Sequence, residues 1–166
     1  MLHIKKSYEC LVEFDPYIAL KVTFGIKNYL TENTAYWRTG DFENQFIEIG
    51  VSEEQGTLRS ITLVLIKQIN LEIKDLPEIQ LTPGIPAFEK INYDKNLLFD
   101  EIGSLEMRVG KNKLQVFFSD NSIVSGFVCN RVTCLFDKEG IFCGFEVADI
   151  TQDERMILEE NFINRK

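Results

Sequence analysis

The 166-residue chain carries a single histidine, His3, and no C-x₂-C pair among its four cysteines. Zinc sites draw on Cys and His at short spacings, so no metal centre is expected. A Ser-His or Cys-His catalytic pair would depend on a residue three places from the N-terminus, where chains fray. No Gly-rich phosphate cradle, dinucleotide fingerprint or G-x-S-x-G elbow occurs, which removes the common nucleotide and hydrolase signatures. The chain also lacks a basic cluster. Lys and Arg number 18 against 26 Asp and Glu, for a net charge of −8. The excess of acid is spread over the first, middle and last parts of the chain. Nucleic acid and anionic membranes are therefore poor partners. A basic protein partner suits this charge, because opposite potentials steer encounter. The plainer reading is that the charge keeps the protein soluble.

Long apolar runs are missing as well. The greasiest stretch, Ile61 to Ile66, is interrupted by Thr62 and ended by Lys67. It has the length of a strand and falls far short of the ~20 residues that span a bilayer. No apolar segment follows the opening Met-Leu-His-Ile-Lys-Lys, and no Asn-x-Ser/Thr acceptor occurs. With cysteines at low density, these features predict a reducing, cytoplasmic location.

What is present is a period of two, with 45 % apolar residues to build a core. Ile47, Ile49 and Val51 alternate with polar or small residues. Ile61, Leu63 and Leu65 do the same after Ser52-Glu53-Glu54-Gln55-Gly56, which predicts a hairpin with its odd-numbered side chains inward. Ile18, Leu20, Val22, Phe24 and Ile26 predict a strand, although a helix over 17–30 also fits. Cys10, Val12 and Phe14 predict a short strand before it. Residues 71–100 contain Pro77, Pro83, Pro86 and Gly84, which do not suit a central strand. They read as a long connection packed on the body, and 1–166 as a single domain. In the second half, 105–109, 114–118, 123–136 and 141–147 read as a meander, with a bend near Gly126 or Asn130 in the longest run. Thr151-Gln152-Asp153-Glu154 is a capping box opening a terminal helix. Its apolar stripe, Met156, Ile157, Leu158 and Phe162, would lie on the sheet. No internal repeat is visible. The expected class is α+β: mainly an antiparallel β-sheet meander, one side covered, with one C-terminal helix.

For the last hairpin, two registers compete. Pairing Phe136 with Ile141 sets Cys134 opposite Cys143 and Val132 opposite Phe145, all apolar, with Cys129 apart on the other face. Pairing Phe136 with Phe142 suits the bulged turn that Asp137-Lys138-Glu139-Gly140 favours. A one-residue slip moves a whole apolar set to the other face, so the first register is expected.

Of the adjacent carboxylates, Glu53-Glu54 falls at a hairpin tip, Asp100-Glu101 near the end of the connection, and Glu159-Glu160 on the outer side of a helix. No catalytic pair can be read from adjacency alone. The segment from Thr34 to Phe42 holds the only tryptophan, Trp37, with Arg38 and Asp41. Trp, Tyr and Arg are the residue types that anchor interfaces, so Trp37, Arg38 and Asp41, with Glu53 and Glu54 on the hairpin tip, are candidate partner-binding residues. In the plainer reading Trp37 plugs one end of the core and Arg38 pairs with Asp41.

The run Trp37 to Val51, followed by Ser60-Ile61-Thr62-Leu63-Val64, resembles a stretch in small bacterial proteins of unassigned function. Gly84-Ile85-Pro86-Ala87-Phe88 and Arg131 to Asp137 are similar to later parts of them. These proteins in turn resemble immunity proteins encoded beside bacterial toxins. The resemblance implies an acidic, cytoplasmic, non-enzymatic inhibitor that blocks a basic toxin domain by occlusion, with no catalytic residues, no cofactor and no metal. The alternative is a β-sheet domain that binds a small ligand or acts as a hydrolase from a carboxylate-lined cleft.

Overall fold

A computed structural model describes residues 9–25, 33–90 and 92–163. His3, the continuation of the second strand to Ile26, the alternative helix beyond Gly25, and the Phe162 side chain lie outside what it describes. In chain order the described residues form β1 (Cys10–Glu13), β2 (Leu20–Phe24), β3 (Thr34–Gly40), β4 (Phe46–Ser52), β5 (Leu58–Leu65), β6 (Ile69–Asn70), β7 (Gln80–Pro83), β8 (Leu98–Ile102), β9 (Glu106–Val109), β10 (Leu114–Phe117), β11 (Ser125–Cys129), β12 (Val132–Phe136), β13 (Phe142–Val147) and α1 (Gln152–Leu158). A short π-helical turn, Glu159–Ile163, follows α1. The fold is thus mostly β with one short C-terminal helix.

The strands make two sheets, ordered β1-β2-β5-β4-β3-β8 and β6-β9-β10-β13-β12-β11-β7. The expected meander gives way to a different connectivity. β2 lies beside β5 and β10 beside β13, so each sheet holds a Greek-key arrangement. The sheets are also mixed: β8 runs parallel to β3, β7 parallel to β11, and β6 parallel to β9. Apart from β6, the two sheets have one strand order. β1 to β5 correspond to β9 to β13, and a parallel strand closes the end of each. This repetition of topology leaves no trace as a repeat in the sequence.

Period two explains the first sheet. Ile49 pairs with Ile61, and Ile47 with Leu63, in the predicted hairpin. Val22 faces Ile61 and Val12 faces Val22 across the next two pairings. Leu20, Val22, Phe24, Ile47, Ile49, Ile61 and Leu63 are all buried, whereas Leu65, at the strand's end, is half exposed. These side chains meet Met107, Val109, Leu114, Val116, Val132, Cys134, Phe145 and Val147 of the second sheet in one continuous core. Two inner faces sharing a core make a sandwich.

The connection after β5 works as a strap. β6 adds to one edge of the second sheet. Lys74 exchanges backbone hydrogen bonds with the Gln115 side chain, its N–H donating to Oε1 (2.9 Å) and its carbonyl accepting from Nε2 (2.8 Å). Leu76 and Ile79 cover a second apolar cluster of Phe117, Ile123, Leu135 and Cys143 on the outer face. β7, with Pro83 at its end, forms the other edge, where a missing N–H is tolerated. Ile85 and Phe88 then pack on the core, and β8 rejoins the first sheet.

The second half departs from expectation at two places. The 123–136 run does not bend; it reverses. Asn130, with φ +51°, supplies the left-handed residue of a tight turn, Cys129 faces Val132, and Val124 is left half exposed. In the β12–β13 hairpin neither expected register holds throughout. Phe136 pairs with Phe142, as the bulged turn favours. A bulge then leaves Leu135 opposite Gly144, Cys134 opposite Phe145 and Val132 opposite Val147. Gly140 takes φ +79°, and Asp137 Oδ1 accepts the amides of Glu139 and Ile141, both at 2.9 Å. The bulge turns Cys143 to the outer cluster, so it does not face Cys134. Cys129 instead shares the inner core with Cys134, and Cys10 Sγ donates to the Cys129 carbonyl at 2.9 Å. Burial pushes the Cys10 thiol up to about 12 and raises that of Cys134 as well. Among the described residues no group of three or more His, Cys, Asp or Glu is arranged to hold a metal ion.

The capping box forms as the sequence predicts: Thr151 Oγ1 accepts from the Glu154 amide, and Glu154 Oε1 from the Thr151 amide. Glu154 also holds Arg131 through two bonds of 2.7 and 2.6 Å, which ties the helix to the β11–β12 turn. Leu158 enters the core, while Met156 is 47 % exposed and Ile157 is half-buried.

Candidate functional site

The tryptophan strand, β3, lies next to the outermost strand of the first sheet. Trp37 sits opposite Ile49 on β4 and beside Phe99 on β8. The three side chains continue the inward row of Val12, Val22 and Ile61 to the edge. Above them the second sheet contributes Phe142, and Phe118 meets Trp37 edge-on, 5.5 Å between ring centres. Phe88 closes the end, 5.3 Å from Phe142, and Phe142 stacks on Phe136 at 5.2 Å. Edge-to-face and offset contacts of this kind favour aromatic packing beyond simple burial. The rings do not fill the space. A cleft of about 310 Å³ remains, lined by Trp37, Ile49, Val51, Phe88, Phe99, Glu101, Ile141 and Phe142.

One ionisable group stands in that lining. Glu101 Oε2 accepts the indole N–H of Trp37 at 2.9 Å. Along the same strand Asp100 points the other way and pairs with Arg38 through two bonds of 2.6 and 2.7 Å. That pair holds the Asp100 carboxyl below the usual carboxylate range, the Arg38 hydrogen bond being the largest cause. Arg38 therefore pairs with Asp100 and not with Asp41, because a parallel strand that joins 60 residues later lies closer than the loop that follows β3. Asp41 has its own task. Its Oδ1 accepts the amides of Glu43, Asn44 and Gln45 at 2.9, 2.7 and 3.0 Å, closing the β3–β4 turn. Those amides, Asn44 first, lower its pKa.

The five residues singled out by sequence do not converge. Trp37 and Arg38 occupy the middle of β3, on opposite faces. Asp41 follows the end of that strand. Glu53 and Glu54 lie at its other end, since Thr34 faces Ser52 and the Glu53 amide donates to the Asn33 carbonyl at 3.0 Å. There they border a shallow groove with Lys90 and Tyr93. Sequence reasoning reached Trp37 and missed the residues that complete its surroundings: Phe88, Phe99, Phe118 and the pairing role of Asp100 and Glu101. Phe88 and Phe99 lie in a connection that also carries Leu76, Ile79, Leu81, Ile85 and Leu97, so nothing local singles them out. Their convergence depends on parallel pairing over long sequence separations, for which no local pattern exists. The cleft is aromatic, with Glu101 its one carboxylate.

No protein-family model matches the chain, and no curated protein matches it.

Proposed function

We propose that this protein is a non-enzymatic binding protein of the immunity type, which neutralises a basic toxin domain by covering it. The observation that carries the reading is the β3–β8 edge. It displays the Arg38–Asp100 pair on one face and a half-buried tryptophan bonded to Glu101 on the other, along an edge where Ile102 is 85 % exposed. Aromatic and Arg residues are the types that anchor protein interfaces, and an outermost strand adds backbone pairing capacity.

The test is coexpression with the product of the neighbouring gene, with survival and complex formation as readouts. Wild type protects and binds. Asp100→Lys, which reverses charge at the edge against a basic partner and keeps the core, reduces protection and lowers affinity by at least about tenfold. Association slows as ionic strength rises, through loss of steering. Protection that survives Asp100→Lys together with salt-independent association rejects this surface and this charge role.

A further inference from the structure

The cleft beneath Trp37 is unexplained by a surface that works through its rim. Its walls are Trp37, Phe88, Phe99 and Phe142 with Ile49, and its one ionisable group is Glu101. Its volume of about 310 Å³ is at the lower end of the range for small-molecule sites. Both sheets and the strap contribute walls, so the space is set by elements already fixed in the fold. The carboxylate at its mouth is oriented by the Trp37 indole, which occupies only Oε2. Its neighbour Asp100 has a guanidinium partner, but among the described residues no Lys or Arg pairs with Glu101.

We infer that this cleft binds a small organic ammonium ion with an apolar body, and that Glu101 is its counter-ion. The chemistry selects among ligand classes. An apolar body gains from aromatic walls whatever its charge. A cation gains twice more: from the ring faces, whose quadrupole attracts positive charge, and from the carboxylate. An anion of the same shape meets Glu101 as a like charge. A bare metal ion keeps its water in preference to a site with a single oxygen-bearing side chain. The cleft shares Trp37 and Glu101 with the proposed edge surface, but its occupancy needs no macromolecule.

Trp37 is the chain's only tryptophan, so its fluorescence reports on the cleft directly. The full chain is titrated at low ionic strength with phenethylammonium, 2-phenylethanol and 3-phenylpropionate, and calorimetry provides a readout independent of the indole. The expected order is cation, then neutral, then anion, with about tenfold between the first two, a difference of about 1.4 kcal/mol. Glu101→Gln keeps an acceptor for the indole on an exposed edge position. It is expected to lower the cation's affinity toward that of the alcohol, only the ring-face attraction remaining, while leaving the alcohol's own affinity within about twofold. Failure of phenethylammonium to saturate either signal overturns the inference, as does equal binding of all three probes or an unchanged cation affinity in Glu101→Gln.

Discussion

The first sheet is covered on its inner face alone, and the second is covered on both. Lys21, Thr23, Glu48, Thr62 and Val64 stand on the outer side of the first sheet, exposed or half exposed. The equivalent side of the second carries Phe117, Leu135 and Cys143, beneath Leu76 and Ile79 of the strap. All four residues of β10 are buried, and in β13 only Glu146 is not. One strand order thus serves two burial regimes, and the sequences record it. β2 reads Leu-Lys-Val-Thr-Phe, alternating; β13 reads Phe-Cys-Gly-Phe-Glu-Val, nearly continuous. Alternation marks a half-covered sheet and continuity a fully covered one.

The comparison can be broken most forcefully on the outer faces. Leu135→Ala removes a fully buried side chain from the outer cluster and should cost about 2–5 kcal/mol in denaturant unfolding. Val64→Ala, on the outer side of the first sheet and 39 % exposed, should stay within about 0.5 kcal/mol. Equal losses would show that the strap does not cover the second sheet as described.

A smaller effect is expected where the helix is fastened to the second sheet. The side chains of Arg131 and Glu154 are 25 % and 18 % exposed, with a bidentate contact. Arg131→Met should cost about 1–2 kcal/mol at neutral pH. Burial alone would raise the Glu154 pKa, but its bonds to Arg131 and to Thr151 outweigh it and the net shift is downward. A depressed folded pKa contributes stability above the unfolded carboxylate value and loses it as pH falls through the folded one. The gap between wild type and Arg131→Met should therefore narrow on acidification below the ordinary Glu range. Urea melts of both proteins at neutral and acid pH measure it; a gap independent of pH would mean that Arg131 acts through packing.

A further change, at the lower end of these losses, concerns the turn that sets the β12–β13 register. Gly140→Ala meets no neighbouring atoms but must hold φ +79°, and should cost about 1 kcal/mol. No measurable loss would mean that the bulged turn contributes little to choosing this register.

That turn also marks where legibility in the sequence ended. The hairpin of β4 and β5, the pair β1–β2 and the capping box follow from local pattern, because each involves neighbours in sequence and one covered face. The register of β12 and β13 was judged by the rule that a slip exposes apolar side chains. With both faces covered, Cys143 is buried whichever way it turns, and the rule loses its force. Asp137 and Gly140 then decide. In the candidate site, Trp37 was legible from its residue type alone. Phe99 and Glu101 were not, because their place beside β3 comes from a parallel strand delivered by a long strap.

The strap has one more consequence, for behaviour at high concentration. An outermost strand invites pairing with another molecule, and such pairing propagates into aggregates. Here the strap supplies that strand at the corresponding end of both sheets: β7, ending in Pro83, and β8, bearing Asp100 and Glu101. A proline interrupts the hydrogen-bond ladder that a newcomer would need, and Glu101, which has no cation paired to it among the described residues, repels a second copy of itself. The segment that gives the sandwich its mixed sheets also guards it against self-association.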